Sequence, residues 1–535
     1  MRPPANFPRA ARSALLAALV LAGCEGRKEP PPAAGAGAAL ERARRLLAEA
    51  GYPDGRGFPT LEVLYNTDEA HKKVAAALQQ MWRKNLGIDV ELRNVEWKIY
   101  LDRLSALDYQ IARRGWIADY RDPNTFLEMF TSASGNNNTG WSHPEYDRLI
   151  REAAAEPDRA RRSTLLSRAE KILLREAAVV PLYFYVSQNC WKEHVRGLYE
   201  NVQDIHPLAE VRAEGRETLV IHNGSEVQTL DPALARGALE YRVLIGLFEG
   251  LATPDPRTLE PRPGVAERWD ISPDGKKYTF HLREAAWSDG RPVTAEDFVY
   301  AWRRALDPAT LTDYAHILFA VKGAQAFHEK KTSDPSTVGV RARDARTLEV
   351  ELEHPCPYFL DLTGFMTFYP VRKDVLERHG AAWTRPEHIV TNGPFRLAEW
   401  KPTDSLTLER NPRYWNAAAV RQPRIKFLPI EDRVTAWNLY KEGTIDWITA
   451  LPIDQIEEIM KRPDYRGGDY LATYFYSFNV RHGPLRDVRV RRALALAVDR
   501  EALVRHVLRQ GQKPAYHFVP PAWKDYTSPR LDAED

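Results

Sequence analysis

The residue types that most often carry out catalysis are present in this chain, but not in the spacings that catalysis uses. The sequence has 14 His and 3 Cys. It contains no His-Glu-x-x-His, Gly-x-Ser-x-Gly or Cys-x-x-Cys motif and no Walker phosphate loop. The histidines lack metal-ligand spacing, and Asp and Glu are too numerous for any one pair to stand out. The sequence therefore predicts no metal and no cofactor, and it weighs against an enzyme without excluding one.

The N-terminus has the features of an export and lipid-attachment signal. Three arginines precede the apolar stretch 13–22, which is too short to span a bilayer, and the ending Leu-Ala-Gly-Cys at Cys24 resembles the bacterial lipobox. We predict a lipoprotein signal peptide over residues 1–23, lipidation of Cys24 and a Pro/Ala/Gly-rich tether over residues 24–39. A plain secretory signal followed by an incidental cysteine is the alternative that the pattern leaves open.

Length and charge exclude several classes of protein. The chain has 535 residues, with 75 Lys and Arg against 73 Asp and Glu, so its net charge is +2. That balance lacks the basic excess of a nucleic-acid-binding protein, and 44% hydrophobic residues exclude wholesale disorder. The length predicts about two to four domains or lobes. The spacing of Cys190 and Cys356 does not favour a disulfide, and we expect two buried thiols.

From residue 40 onward, helix and strand signals alternate. Apolar residues recur at helical spacing between Val74 and Leu86, and Gly87 then provides a stop signal. Helices are predicted over residues 40–50, 74–86, 144–156, 158–176, 295–306, 453–461 and 488–508, and strands over 60–65, 88–92, 109–116, 179–186 and 218–223. A polar, irregular segment over 206–217 is predicted to be a linker. The alternation indicates an α/β protein.

Six stretches of the chain resemble the extracytoplasmic dipeptide/oligopeptide-binding proteins of ABC importers, known as solute-binding protein family 5. They are TLDP (229–232), WSDGRPVTAEDF (287–298), TNGPF (391–395), ERNPRYW (409–415), DVRVRRALALAVDR (487–500) and GWIADYRDPNTF (115–126). Together these stretches extend the resemblance over essentially all of residues 40–535, and the combination is specific to that family. The resemblance supplies expectations for the fold, the ligand and the binding site.

The order of these stretches differs from that of the family. Family members begin with the part that resembles residues 217–535 and end with the part that resembles residues 40–211, whereas here the second part comes first. The chain is therefore similar to a circular permutant, which is tolerable when the original termini lie close together. This predicts that Asp535 and Leu40 are near each other in space. A gene-assembly error, or a fusion of two neighbouring related genes, is the open alternative.

The resemblance implies an α/β fold of the two-lobed periplasmic-binding-protein clamshell type (type II-like), with an extra subdomain and in circularly permuted order. The implied divisions are one cleft lobe (40–186 and 473–535), the opposing lobe (187–257 and 371–472) and the accessory subdomain (258–370). Chain crossings near Val186 and Ala472 would form the hinge, and a ligand would be enclosed on closure.

Charged residues match the family positions that hold the two ends of a peptide. Asp119 matches the residue that pairs with the amino terminus, whose charge a buried carboxylate would neutralise. Arg113 matches a residue that receives the peptide carboxylate, a role suited to a planar guanidinium. Because strand residues alternate faces, the neighbouring Arg114 is the alternative. His71 matches a second carboxylate-binding position more loosely, and an ordinary solvated histidine fits the pattern equally well.

The resemblance also implies contacts to the peptide main chain and side chains. The backbone of Gly115 and Ile117 would pair with the peptide as with an added strand. Further implied ligand contacts are Trp97, Trp116, Glu249, Tyr314, Phe475 and Tyr476. For either tryptophan a core position is the alternative. The chain departs from some family members in having Ser477 at a position where they are acidic, and in lacking a cysteine pair near the cleft.

The resemblance thus implies a lipid-anchored receptor, in the periplasm or on the outer face of the membrane, that binds short peptides and delivers them to the permease of an ABC transporter. We expect a monomer that is not an enzyme and does not bind nucleic acid. Same-fold receptors for nickel, haem, opines or oligosaccharides are alternatives, but two charged ends favour a zwitterionic peptide over a sugar. A secreted peptide hydrolase is the alternative from another class, and a permuted chain without function is a third.

Overall fold

A large mixed β-sheet forms the centre of the structure, a computed structural model that describes residues 36–521, 523 and 525–529. The strands of the described residues are β1 (Leu61–Asn66), β2 (Val90–Val95), β3 (Ile111–Ile117), β4 (Val179–Trp191), β5 (Val195–Arg196), β6 (Arg212–Ala213), β7 (Thr218–His222), β8 (Ala252–Pro254), β9 (Pro261–Pro263), β10 (Ala266–Ile271), β11 (Lys277–Leu282), β12 (Val340–Asp344), β13 (Thr347–Glu351), β14 (Phe395–Lys401), β15 (Ser405–Arg410), β16 (Arg424–Leu428), β17 (Trp447–Ile448), β18 (Tyr465–Phe478) and β19 (Lys513–Pro514). The large sheet has 11 strands in the order β14-β15-β16-β7-β17-β4-β18-β3-β1-β2, with β19 paired to β4. The smaller sheets are β10-β11-β13-β12, β5-β6 and β8-β9.

Helices alternate with strands along much of the chain, as the sequence predicts. They are α1 (Ala36–Glu49), α2 (Glu69–Leu86), α3 (Trp97–Ser105), α4 (Asn124–Leu127), α5 (Pro144–Ala155), α6 (Arg159–Glu176), α7 (Ala238–Leu247), α8 (Ala295–Leu306), α9 (Ala324–His328), α10 (Phe359–Leu362), α11 (Lys373–His379), α12 (Arg433–Glu442), α13 (Ile456–Ile459), α14 (Val488–Leu496) and α15 (Arg500–Ala502). The run β1–α2–β2–α3–β3 pairs its three strands in parallel, which confirms the α/β class.

Strands β4 and β18 are the longest of the sheet and run through both of its halves. The β3 half is the part of the sheet that continues from β18 through β3 and β1 to β2. The β7 half continues from β4 through β17, β7, β16 and β15 to β14. Asp469 of β18 pairs with Val186, but Thr473 pairs with Phe184, so β18 carries a bulge where the halves meet. The crossings predicted near Val186 and Ala472 fall at this bulge.

Helix α2, which flanks the β3 half, begins and ends where local signals place it. The Asp68 side chain accepts hydrogen bonds from the backbone N–H groups of Ala70 and His71. Gly87 closes the helix with φ 68°, a conformation that favours glycine. The apolar face of α2 packs into a core shared with β1, β4 and β18. Asp68 thereby fixes His71 in the first turn of the helix, against the sheet.

The helix predicted over residues 488–508 is wrong, because this segment forms three successive pieces. Helix α14 ends at Leu496, α15 follows, and Leu503–Leu508 forms a π-helical turn. The break arises because the Asp499 side chain accepts a hydrogen bond from the Ala502 N–H (2.9 Å) and so starts a new helix.

Other predicted boundaries also shift. The strand predicted over 179–186 continues to Trp191, and the linker predicted over 206–217 contains β6 and the buried Leu208. The helix predicted over 453–461 is reduced to a 3-10 turn followed by the one-turn α13. Sequence patterns did not predict α3, α7 and α12. Helix α1 begins at Ala36, inside the segment predicted as a tether.

Several sequence predictions concern residues outside the described ranges. These are the signal peptide over 1–23, the lipidation of Cys24, most of the tether over 24–39, and the proximity of Asp535 to Leu40. Cys190 and Cys356 are buried free thiols, as expected. Among the described helices, none combines the length and the apolar character needed to cross a membrane.

Candidate functional site

A cavity of about 390 Å³ lies between the β3 half and the β7 half of the sheet. Strand β3 and helix α3 form one wall, and helix α7 forms the facing wall together with residues 313–314 and 365–366. Tyr185 of β4 and Tyr470, which lies in the β18 bulge, line the cavity where the two halves meet. A ligand in this cavity therefore contacts both halves at once.

Asp119 lies just after β3, and within the described part of the chain no cation balances its charge. The Tyr314 hydroxyl donates to Asp119 Oδ1 across 3.4 Å, and the Asp119 N–H donates to Thr125 Oγ1 (3.0 Å). Burial raises the pKa of Asp119 well above its ordinary value, and the negative charge of Glu128 raises it further. No positively charged group among the described residues lowers the pKa of Asp119 in return. A cationic ligand atom would stabilise the ionised carboxylate.

Arg113 lines the same cavity from earlier in β3. Its Nη1 donates to Asn66 Oδ1 and its Nη2 to the Tyr185 hydroxyl, each across 3.1 Å. The guanidinium carbon lies 5.1 Å from the centre of the Tyr474 ring, and Nε is buried without a hydrogen-bond partner. These partners are neutral, and no described carboxylate pairs with Arg113. At about 3.3 Å per residue, the path from Arg113 to Asp119 corresponds to about 20 Å of extended strand.

Arg114 lines the cavity as well, from the opposite face of β3. Its Nη1 donates to the Asn136 carbonyl (3.2 Å), and its guanidinium carbon lies 5.6 Å from the centre of the Phe475 ring. The residue is 7% exposed, and burial lowers its pKa. The structure thus places both arginines at the cavity, rather than only one of them.

Strand β3 presents one unpaired edge. The Ala118 N–H donates to the Leu471 carbonyl (2.8 Å), so even-numbered residues of β3 pair with β18 and odd-numbered residues point to the opposite edge. On that edge the pairing with β1 ends at Ala112. The N–H and C=O groups of Gly115 and Ile117 consequently face away from β18, on the side of β3 where no described strand is paired.

The absence of a side chain at Gly115 leaves room for a hydrogen-bond partner of Arg113. A Cβ atom at Gly115 would lie 2.8 Å from the hydroxyl oxygen of Tyr185 and 3.3 Å from its Cε2 atom. Tyr185 is the residue that accepts a hydrogen bond from Arg113. Any side chain at Gly115 must therefore displace a partner of the Arg113 guanidinium.

The predicted aromatic residues form two stacked pairs in the cavity wall. Trp97 stacks on Tyr100 with ring centres 5.5 Å apart, and its Nε1 is buried without a partner. Trp116 stacks on Tyr314 with ring centres 6.0 Å apart, and its Nε1 donates to the Thr125 carbonyl (2.8 Å). Both tryptophans line the cavity, and Tyr314 joins Trp116 to the Asp119 carboxylate.

His71 lines the cavity but is not a solvated histidine, so that alternative is wrong. It is 8% exposed, and its Nδ1 lies 3.6 Å from Asp68 Oδ1 and 3.5 Å from the Tyr474 hydroxyl. Burial lowers the pKa of His71 well below its ordinary value, and the charge of Arg113 lowers it further. The lowered pKa favours the neutral form of His71 at pH 7.

Three predicted ligand contacts do not line the cavity. Glu249 is 8% exposed and accepts hydrogen bonds from the Tyr414 hydroxyl and from Trp415 Nε1 (2.6 Å), so its carboxylate is satisfied within the protein. Burial raises the pKa of Glu249 to about 7. Phe475 and Tyr476 are buried in the cores on the two faces of β18. Phe475 is 0% and Tyr476 1% exposed, so neither side chain reaches the ligand cavity.

Several cavity residues were missed by the sequence analysis. Tyr241 and Arg242 belong to α7, which the sequence did not predict, and Arg236 lies just before that helix. Tyr470 reaches the cavity only because of the β18 bulge. Tyr185 lies in a strand that was predicted, but the face on which it lies depends on pairing with distant strands, which no local pattern in the sequence indicates.

The fold and the site define a two-lobed binding protein. Long strands join two halves around a cavity, and within its lining Asp119, Arg113 and Arg114 have no partner of opposite charge among the described residues. A family model described as bacterial extracellular solute-binding proteins, family 5 Middle, matches residues 23–138 and 260–534. The chain belongs to this family, which confirms the family inferred from the sequence motifs.

Curated relatives and solved structures agree with this family. The chain is 44% identical over 318 residues to the periplasmic oligopeptide-binding protein OppA of Salmonella typhimurium, a match that covers 58% of each protein. The structure of the Escherichia coli murein tripeptide binding protein MppA matches with 38% identity and a TM-score of 0.56, covering 59% of this chain and 62% of that one.

Haemophilus influenzae OppA in complex with the peptide RPPGFSPFR is a further structural match. It has 36% identity and a TM-score of 0.53, and the match covers 58% of this chain and 61% of that one. In each of these comparisons the chain spans less than two thirds of the length of the relative that it matches.

Proposed function

We propose that this protein is an extracytoplasmic receptor that captures short peptides between its two lobes and delivers them to the permease of an ABC transporter. One observation carries the proposal: Asp119 and Arg113 line a single cavity, and no described residue of opposite charge neutralises either of them. A buried charge without a partner is costly, whereas a zwitterionic ligand supplies both missing partners at once. The free ammonium of a peptide would pair with Asp119, and its carboxylate with Arg113.

The main chain of the peptide would be held by strand addition. Gly115 and Ile117 offer backbone N–H and C=O groups on the open edge of β3, and such groups bind any peptide regardless of sequence. The roughly 20 Å between the charged residues along β3, less about 3 Å for each terminal contact, leaves room for an extended peptide of about four residues. Trp97, Trp116 and Tyr314 would flank its side chains.

Closure of the two lobes would be secured by contacts between the halves. Arg433 at the start of α12, in the β7 half, donates to Asp68 Oδ2 from Nε (2.9 Å) and from Nη2 (2.7 Å). Lys73 of α2 pairs with Asp454 across 2.6 Å. We propose the lobes and the accessory subdomain with the boundaries inferred from the sequence, and the β18 bulge as their hinge.

We also propose the features that the sequence predicts for the N-terminus and for the order of the segments. They include a signal peptide over 1–23, lipidation of Cys24 and a circularly permuted order of the family's segments. The predicted linker between the two segments is packed onto the fold, because the Gln422 side chain accepts from the Ala213 N–H (2.7 Å) and donates to the Glu217 carbonyl (2.9 Å). Detection of one proteolytic peptide running from before His206 to beyond Glu217 in cell extracts would establish this order, and its absence beside peptides in the family order would refute it.

The alternatives carry less support. A sugar has no charged ends to match Asp119 and Arg113. Among the described residues no cluster of three or more His, Cys, Asp or Glu is placed to hold a metal ion, so nickel is less well served than a peptide. Relatives named for oligopeptide and murein tripeptide binding are binding proteins, which favours a receptor over a peptide hydrolase.

Native mass spectrometry of the protein lacking residues 1–24 tests this function. We expect adducts of mixed mass that fragment as short peptides, lost after denaturation and refolding and restored by added tetra-alanine. Asp119→Asn should retain far less peptide, whereas Asp89→Asn, a matched change on the surface away from the cavity, should retain it fully. A compact protein that carries no peptide and takes up none would overturn the proposal.

A further inference from the structure

Besides Arg113, strand β3 places a second cation, Arg114, in the cavity, and neither has a carboxylate partner among the described residues. Arg113 and Arg114 are consecutive in β3, so their side chains leave opposite faces of the strand. Arg113 meets Tyr185 and Tyr474 on one face, whereas Arg114 meets Asn136 and Phe475 on the other. A single terminal carboxylate cannot pair with both guanidinium groups.

Arg114 is not satisfied within the protein in the way that structural arginines are. Arg500 is 4% exposed, and it donates to the carbonyls of Pro181, Ala495 and Val498. Arg114 is buried to a similar degree but donates to one carbonyl only, and it lines a cavity. None of the described carboxylates lies within ion-pair distance of it. The remaining donors of its guanidinium are therefore available to a ligand.

None of the described groups around Arg114 neutralises its positive charge. Asn136, Asn138 and Tyr314, all uncharged, line the cavity with it. Asp313, an acidic residue that lines the facing wall, is already paired with Arg236 across 2.6 Å. The charge of Arg113, next to it in the strand, only increases the need for a counter-ion. The missing partner is an anion, and a carboxylate matches the planar donors of arginine best.

From this arrangement we propose that the receptor selects peptides with an acidic side chain close to their carboxyl end, and that Arg114 receives this side chain. The inference rests on the proposed function, because it takes the peptide to lie along the open edge of β3. A peptide paired there sends successive side chains to opposite faces. With the terminal carboxylate at Arg113, a neighbouring side chain points to the face of Arg114.

Isothermal titration calorimetry with a set of tetra-alanine peptides tests this selection. Glu or Gln replaces alanine at one position at a time, and each peptide is titrated into the wild type, Arg114→Gln and Arg257→Gln, an arginine remote from the cavity. We expect Glu to bind about tenfold or more tightly than Gln at one position near the carboxyl end. The preference for Glu should vanish in Arg114→Gln and persist in Arg257→Gln.

Each other result overturns the inference in a recognisable way. Equal affinities for Glu and Gln at every position in the wild type refute it and leave the peptide receptor intact, even if Arg114→Gln does not fold. A preference that survives in Arg114→Gln assigns the selection to another group. If Arg114→Gln weakens tetra-alanine but not its C-terminal amide, Arg114 binds the terminal carboxylate instead. A wild type that binds none of the peptides defeats the proposed function itself.

Discussion

A buried carboxylate inside the β7 side of the molecule and a buried carboxylate at the cavity differ in whether the described chain provides a cationic partner. Asp231 is 3% exposed and accepts from Arg304 Nη1 (2.9 Å) and Nη2 (2.5 Å), while Trp383 Nε1 donates to the same carboxylate (3.2 Å). Asp119 has one long hydrogen bond from Tyr314 and no cation. The first carboxylate completes its interactions on folding. The second is left for a partner that the described chain does not supply.

Glu249 sharpens this contrast, because the sequence predicted it as a ligand contact alongside Asp119. The structure gives Glu249 two internal donors, Tyr414 and Trp415, and places it away from the cavity lining. A buried carboxylate is therefore not in itself a sign of a binding site. A binding site is indicated when a buried carboxylate also lines a cavity and lacks a partner of opposite charge.

The largest expected effect concerns the charge pair within the lobe. Arg304→Ala removes the partner of a buried carboxylate, and we expect the free energy of unfolding to fall by about 3–5 kcal/mol. Asp119→Asn, the matched change at the cavity, should leave the free energy of unfolding of the empty protein unchanged or slightly higher, because the neutral amide resembles the protonated acid. Urea denaturation measures both. Equal losses in the two variants would erase the distinction between the two regions.

A smaller effect is expected from the space beside Arg113. Gly115→Ala places a methyl group 2.8 Å from the Tyr185 hydroxyl, and overpacking of this kind costs about 1–3 kcal/mol. We expect peptide affinity to fall about fivefold to a hundredfold by calorimetry. Adding Tyr185→Phe removes the clashing oxygen and should recover part of the loss. Wild-type affinity in Gly115→Ala would show that Tyr185 is free to move and does not position Arg113.

The third expected effect is a pH dependence of peptide affinity. The pKa of Asp119 is raised in the empty cavity, so the carboxyl is protonated there at pH values where an ordinary Asp is ionised. Binding of an ammonium requires the ionised form and therefore releases a proton. Affinity should rise with pH, by at most about tenfold per unit, from the ordinary Asp range up to the raised pKa. For the empty protein the sign is opposite, since the raised pKa favours folding at low pH and this contribution is lost as pH rises through it.

Titrations of a tetrapeptide between pH 4 and pH 7 would show this rise in the wild type. Asp119→Asn provides the control, because it has no group at this position to titrate and its affinity should not rise for this reason. A flat profile in the wild type would mean that Asp119 is already ionised in the empty cavity, with a counter-ion from elsewhere.

The sequence predicted those features that depend on neighbouring residues in the chain. Apolar periodicity and Gly87 placed the end of α2, and motif resemblance identified the family and drew attention to Asp119 and Arg113. The failures arise where long-range pairing decides. A strand residue reaches the cavity or the core according to its face, and one step in register exchanges the two. This is why Tyr185 was missed and why Phe475 was misplaced.

A two-by-two titration tests most directly whether the Asp119 carboxylate pairs with the ammonium of a peptide. Tetra-alanine and its N-acetylated form are each titrated into the wild type and Asp119→Asn. We expect acetylation to weaken binding to the wild type by about 2–5 kcal/mol, which is about thirtyfold or more, and to have little effect on Asp119→Asn. If acetylation costs the same in both proteins, or nothing in the wild type, the ammonium is not held by Asp119 and the account is wrong.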